Sequence, residues 1–250
     1  MAAETYLEGA ISVEAALRAA SRPIYALIVR AGAHDPELMR LRRLAADQGI
    51  PVEQVSSEAI AALAQGRTHG GVLARVGERR MVALDDLIAG SADPWVVMLD
   101  GVEDPFNFGQ AVRALYAAGA AGLVVRPRSW LSAAGVVARA SAGASEWMPT
   151  AVAETAQQAA DWFRQRGIPT AVTDHRRAVS IYEVDLSGPL FLVIGGEKRG
   201  VTRSFADAAD LRLRIPYGRP FGQALDTTSA AAALAFEIMR QRQTKQKGRP

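Results

Sequence analysis

Three short segments in the C-terminal part of this 250-residue chain carry side chains whose types and spacing could do chemistry. Asn107, Gly109 and Arg113 stand in Asp104-Pro-Phe-Asn-Phe-Gly-Gln-Ala-Val-Arg113. Glu197 stands among glycines in Gly195-Gly-Glu-Lys-Arg-Gly200, and Asp226, Thr227, Thr228 and Ser229 follow Leu225 without a break. An arginine in an early helical turn has no dipole reason to be there, because that helix end is already partly positive; it suits an anion such as a phosphate. Asn107 reads either as a helix N-cap, with Gln110 completing a capping box, or as a site residue. Gly195 and Gly196 allow close backbone approach to a ligand, and Glu197 beside them is not core material; a tight turn reads equally well. The pattern is neither the dinucleotide fingerprint nor a phosphate-binding loop. Asp226 to Ser229 are either redundant caps of one helix or hydroxyls and amides lining a pocket.

The elements that must position these residues are short and apolar. Strands are expected at 95–99, 123–125, 169–173, 190–194 and 211–215, with helices at 155–165 and 228–241. Each of the three segments follows such a strand and leads toward a helical pattern, and the carboxyl edge of a parallel sheet is where α/β proteins place ligands. The run 211–215 alternates leucine with arginine, as a half-exposed strand does. The first eighty residues form a smaller α/β pattern: helix 13–20, strand 24–29, a helix started by Asp35-Pro36, a strand beginning at 49–52, a helix capped by Ser57, and a strand at 71–76. Residues 81–94 read as a linker. The expected organisation is a small α/β domain over 1–80 and a second domain over 95–250.

Composition excludes several classes. Apolar residues make up 49% and charged residues 22%, so the chain can build a packed core. With no cysteine and only His34, His69 and His175, no metal site is expected. No apolar stretch suits a membrane span and the start lacks a signal-peptide pattern, so a cytoplasmic protein is expected. The net charge is +3, yet Arg240, Arg242, Lys245, Lys247 and Arg249 follow Glu237 with no acid among them. The rest of the chain is therefore net negative, an asymmetry that points weakly to an anionic partner.

Taken together and in order, the three segments resemble the SpoU (TrmH-type) branch of the SPOUT RNA methyltransferases. Ser141-Ala-Gly-Ala144-Ser-Glu146 looks like the stretch between that family's first two motifs, and residues 9–76 look like its small ribosomal-protein-like RNA-binding domain. The resemblance implies a parallel sheet with a C-terminal trefoil knot, an exception to the rule against threaded chains. It further implies S-adenosylmethionine as cofactor, a homodimer whose first motif completes the partner's site, and methylation of a ribose 2′-hydroxyl in structured RNA, rRNA before tRNA. By the same resemblance Thr173, Gly195, Gly196, Gly200, Ile215, Tyr217 and Leu225 would hold the cofactor, and Asn107, Arg113 and Glu197 would be catalytic.

The chemistry fits those residue types. A sulfonium methyl is already activated, so the protein must align the attack and assist a weakly acidic hydroxyl. A guanidinium, with a pKa of about 12.5 or higher, is a poor base at neutral pH, so positioning and electrostatic stabilisation suit Arg113 better than deprotonation. The third motif departs from the family's Ser-Leu-Asn-Val-Ser: here it is Ala224-Leu225-Asp226-Thr227-Thr228. Asp226 only accepts hydrogen bonds when ionised, Ala224 lacks a hydroxyl, and Thr228 keeps one. Two functions follow from this pattern: an active 2′-O-methyltransferase, or an RNA-binding protein that keeps the fold and cofactor and has lost catalysis.

Overall fold

The computed structural model describes residues 5–66, 69–127, 131–175, 177–196 and 201–247. The chain divides into two compact units: residues 1–80 with 128–147, and residues 81–127 with 148–250.

In the first unit, β1 (Thr5–Glu8), α1 (Ala10–Ala19), β2 (Ile24–Arg30), α2 (Pro36–Asp47), β3 (Val52–Val55), α3 (Ser57–Leu63) and β4 (Val72–Val76) build a sheet of order β1-β4-β2-β3. Only the β2–β3 pair is parallel. Leu7, Val13, Leu17, Leu27, Val29, Leu41 and Val72 close one core under α1 and α2. Pro36 opens α2 as the sequence predicts. The cap of α3 is Ser56 rather than Ser57, because its hydroxyl accepts the Ala59 N–H.

The second unit holds β5 (Trp95–Asp100), α4 (Pro105–Ala117) and β6 (Gly122–Val125). The chain then returns to the first unit as α5 (Ala134–Ala140) and α6 (Ala144–Trp147). Ala134 and Ala138 of α5 join the core there. Back in the second unit come β7 (Thr150–Val152), α7 (Ala156–Arg164), β8 (Thr170–Thr173), β9 (Val179–Ser180), β10 (Leu190–Gly195), α8 (Arg203–Ala208), β11 (Leu211–Arg214) and α9 (Thr227–Lys247). The seven strands order as β7-β6-β5-β10-β8-β11-β9, and every pairing is parallel. The five strands expected here all form. The two edge strands β7 and β9 carry too few residues to announce themselves by pattern, and β1, Thr-Tyr-Leu-Glu, mixes polar and apolar residues without a buried run.

One face of this sheet packs Val96, Met98, Val172, Phe191 and Val193 against Ala156, Ala159, Ala160 and Phe163 of α7. Phe163 stacks on Phe191 at 4.4 Å between ring centroids. The alternate residues Val97, Leu99, Leu192 and Ile194 are buried too, and α9 packs along both α4 and β10. Burial on both faces explains why these strands read as continuous apolar runs.

Candidate active site

The strand order reverses direction at the β5/β10 pair: β6 and β7 lie to one side of β5, while β10, β8 and β11 lie to the other. Such a switch point opens a crevice at the carboxyl edge of a parallel sheet. Register places Gly195 opposite Asp100 and Leu213 beside Thr173. The ends of β5, β10, β8 and β11 are therefore neighbours, and Gly195, Gly196, Thr173 and Ile215 come to one edge. The Gly195 N–H donates to the Thr173 hydroxyl at 3.4 Å, a direct link between two expected cofactor residues.

Gly196 is required by packing. Its N–H donates to the Asp100 carbonyl at 2.7 Å. A Cβ on Gly196 would lie 2.2 Å from the Gly101 carbonyl oxygen and 3.0 Å from the Val102 nitrogen, so only glycine lets the two strand-end loops pass this closely.

Asn107 is not the N-cap of α4. Asp104 takes that place, its carboxylate accepting the Asn107 N–H at 2.7 Å, and Pro105 supplies the first helical position with its fixed φ. Asn107 therefore sits at the third helical position with its side chain not needed as a cap. Its carbonyl accepts the Thr228 hydroxyl at 3.2 Å, which joins the first motif to the third. Arg113 is exposed in the third turn, one turn deeper than a cap at Asn107 would place it, and makes no hydrogen bond or ion pair among the described residues. Six residues of helix separate the two by about 9 Å of rise and about 120° of rotation, so the fold does not bring Asn107 and Arg113 together.

Asp226 caps α9. Its carboxylate accepts the Ser229 N–H at 2.8 Å and the Ser229 hydroxyl at 2.6 Å, while its carbonyl accepts the Ala230 N–H. The Ser229 hydroxyl, and next the Ser229 N–H, hold the carboxyl below the usual aspartate range. Tyr217 accepts the Leu225 N–H on its phenol oxygen at 3.1 Å and lies 6.0 Å from Phe221, ring to ring. Among the described residues, the backbone N–H and C=O groups of 216–224 make no hydrogen bond, and the loop is largely exposed. Uncommitted backbone groups beside part-buried Ile215 and Leu225 leave donors and acceptors available to a ligand. Glu197 and Gly200 lie outside the described residues.

The positive C-terminal run is partly absorbed into the fold. Arg240 makes two bonds of 2.8 Å to Glu237. Arg242 donates to the carbonyls of Asp93 and Gly188. Lys245 lies 3.9 Å from Asp93. On β11, Arg212 pairs with Asp207 and Arg214 donates to the Ala178 carbonyl.

Comparison with known proteins decides the family. Residues 94–236 match the SpoU rRNA Methylase family, more than half of the chain. This chain belongs to that family. Residues 6–82 match a second description, RNA 2'-O ribose methyltransferase substrate binding. Among curated relatives, the 23S rRNA (guanosine-2'-O-)-methyltransferase RlmB of Pseudomonas aeruginosa is 31% identical over 238 residues, covering 94% of this chain and 95% of that protein. Its counterpart in Pseudomonas putida is 29% identical over 241 residues, 95% and 96% of the two chains. The crystal structure of the AdoMet-bound rRNA methyltransferase from Sinorhizobium meliloti superposes with a TM-score of 0.79 at 26% identity, covering 95% of this chain and 87% of that one. As a SpoU family member the chain is an RNA 2′-O-methyltransferase that uses S-adenosylmethionine. No helix among the described residues is long and apolar enough to cross a membrane. No cluster of metal-ligating side chains occurs among them either.

Sequence reasoning missed two features of this edge. Asp100 ends β5 buried and bound to Arg126, and the Gly196–Gly101 approach links loops far apart in the chain. An acid at the end of an otherwise apolar strand was the available signal for the first; nothing local signals the second.

Proposed function

We propose that this protein methylates the ribose 2′-hydroxyl of one nucleotide in folded ribosomal RNA, working as a homodimer. The reading is carried by one observation: the third motif is hydrogen-bonded to the first, and the second to the end of β5, the strand that leads into the first. Gly196 donates to Asp100, and Thr228 donates to the Asn107 carbonyl. S-adenosylmethionine supplies an electrophilic methyl group when bound. Thr173, Gly195, Gly196, Ile215, Tyr217 and Leu225 would hold it, mainly through backbone groups at the switch-point crevice, and the family resemblance adds Gly200. Asn107 and Glu197 orient the ribose, and Arg113 stabilises charge that develops at the attacking hydroxyl. The divergence of Asn107 and Arg113 around α4 supports a two-subunit site, in which Arg113 serves the partner's crevice. The knot implied by the family would involve the stretch from β10 to α9. The relatives named for guanosine methylation of 23S rRNA support rRNA over tRNA. An RNA-binding protein without catalysis is the weaker reading, because the main departure, Asp226, keeps a helix cap intact.

Labelled S-adenosylmethionine, incubated with the protein and with rRNA from a strain lacking it, should transfer label to a ribose 2′-oxygen. Intact cofactor binding with no transfer to any RNA would refute the enzymatic reading. Arg113→Ala should reduce transfer at least a hundredfold, as loss of one transition-state donor does elsewhere, with cofactor affinity unchanged. Equal loss of both would refute the role given to Arg113. Sedimentation of the wild-type chain as a monomer would remove the two-subunit site.

A further inference from the structure

Asp100 is the one acid in a strand of otherwise apolar residues, and it is 6% exposed. Burying a carboxylate is costly unless a cation and hydrogen bonds compensate it. The cation here is Arg126, immediately past the end of β6. Its Nη2 donates to Oδ2 at 3.0 Å and its Nε lies 2.7 Å from Oδ1. Oδ1 is buried without a well-aligned donor, so the fork is seated through one good bond and one ion contact. The two partners differ sharply in exposure: the Asp100 side chain is 8% exposed and that of Arg126 is 52%.

A pair built only for stability would gain little from an arginine left half in water. A buried acid does, however, restrict the rotamers of a long side chain, so that less entropy is lost when its remaining donors meet a ligand. Nη1 has no partner among the described residues. The guanidinium sits at the carboxyl ends of β5 and β6, beside the loop that runs from Asp100 to the Asp104 cap of α4. Glu103 and Asp104 are exposed in that loop, so acids stand beside the cation. Arg126 offers its charge in a fixed place, the chemistry that recognises one phosphate.

We propose that Arg126 contacts a backbone phosphate of the RNA at the rim of the methyl-transfer site, with Asp100 as its positioning residue. The proposal rests on the RNA-methylating reading above. The test uses the full chain and in vitro transcribed 23S rRNA. Arg126→Ala should raise KM for RNA about tenfold, the size of a charge-assisted contact. The salt dependence of binding should also lose about one unit of slope. kcat at saturating RNA and the affinity for S-adenosylmethionine should stay within about twofold. Asp100→Asn should raise KM in the same direction by a smaller factor. Arg126→Lys should keep the salt slope and raise KM modestly, and it carries the test if the alanine variant does not fold. Unchanged KM and unchanged slope, with or without a lower melting temperature, would make the pair purely structural and overturn the proposal. If the wild-type chain transfers no methyl group, the activity reading fails instead, and the salt slope of RNA binding alone still decides Arg126.

Discussion

Asp226 stands where the family's third motif has asparagine, and its observed contacts are ones that either residue can make. Its carboxylate accepts from the Ser229 N–H and hydroxyl at the start of α9, and aspartate and asparagine are about equally good caps. Asp226→Asn should therefore shift stability by under about 0.5 kcal/mol, while Asp226→Ala should cost about 1 kcal/mol; thermal melting at pH 7 compares them. Below the usual aspartate value of about 3.9 the difference from Asp226→Asn should grow, because a lowered carboxyl contributes stability only while ionised and loses it as pH falls through its folded value. Removing the charge should leave methyl transfer equal to or above that of wild type; a fall of tenfold or more would show that the carboxylate itself works on the RNA. The site was legible to this extent: Gly195, Thr173, Ile215 and Asp226 were identifiable as strand ends or helix starts. Asn107 was read two ways, and only the Asp104 cap separates them, because Asp-Pro-x-Asn offers two competent caps three residues apart.

At the scale of elements, the buried strands were the legible part, since a strand covered on both faces writes itself as an unbroken apolar run such as 95–99 or 190–194. The pieces missed include β7 and β9, whose two or three residues leave no period to detect, β1, which mixes polar and apolar residues, and the short helices α5, α6 and α8, which carry no clear face. The basic run after Glu237 was legible as charge but not as structure. It continues α9 as a helix, and Arg242 is fixed by carbonyls of the loops before β5 and β10. A close approach of two loops is equally invisible to local pattern: Gly196 against Gly101. No flexible side chain can yield there, because the clashing atoms are backbone. Gly196→Ala should cost about 1–3 kcal/mol in overall stability, as overpacking does. It should also weaken S-adenosylmethionine binding by displacing the β10 loop, measured by calorimetry. Wild-type affinity in this variant would mean that the crevice tolerates a separation of the two loops.

At the scale of the whole molecule, the first unit is not continuous in sequence. The chain leaves it after residue 80 and returns for 128–147, so α5 completes a core begun by β1 and α1, and α6 packs on α1. Gly143, at φ +80, lets the turn between them approach α1; a Cβ there would lie 2.6 Å from that of Ala15. Charge makes the same connection. Glu146 receives Arg22 through two bonds of 2.8 Å and the Ser21 hydroxyl at 2.5 Å. Burial pushes the Glu146 carboxyl up, but the Arg22 charge and hydrogen bonds, with Arg79 and Ser21, outweigh it and hold the group below its usual range. Burial also brings the neighbouring Arg79 down to about 10, where it remains a cation at neutral pH. Removing one charge leaves the other buried without its counter-ion. Glu146→Gln should accordingly cost about 3–5 kcal/mol, far more than the loss of any exposed pair in the molecule. The sign of the pH effect follows from the lowered carboxyl: its contribution is complete above the ordinary glutamate value of about 4.3 and fades as pH falls through the folded value. Denaturant melts of wild type and Glu146→Gln should therefore differ most near neutrality and converge on acidification. A constant gap down to pH 3 would mean that the variant's cost comes from packing, and that the ion pair does not hold 128–147 to the N-terminal eighty residues.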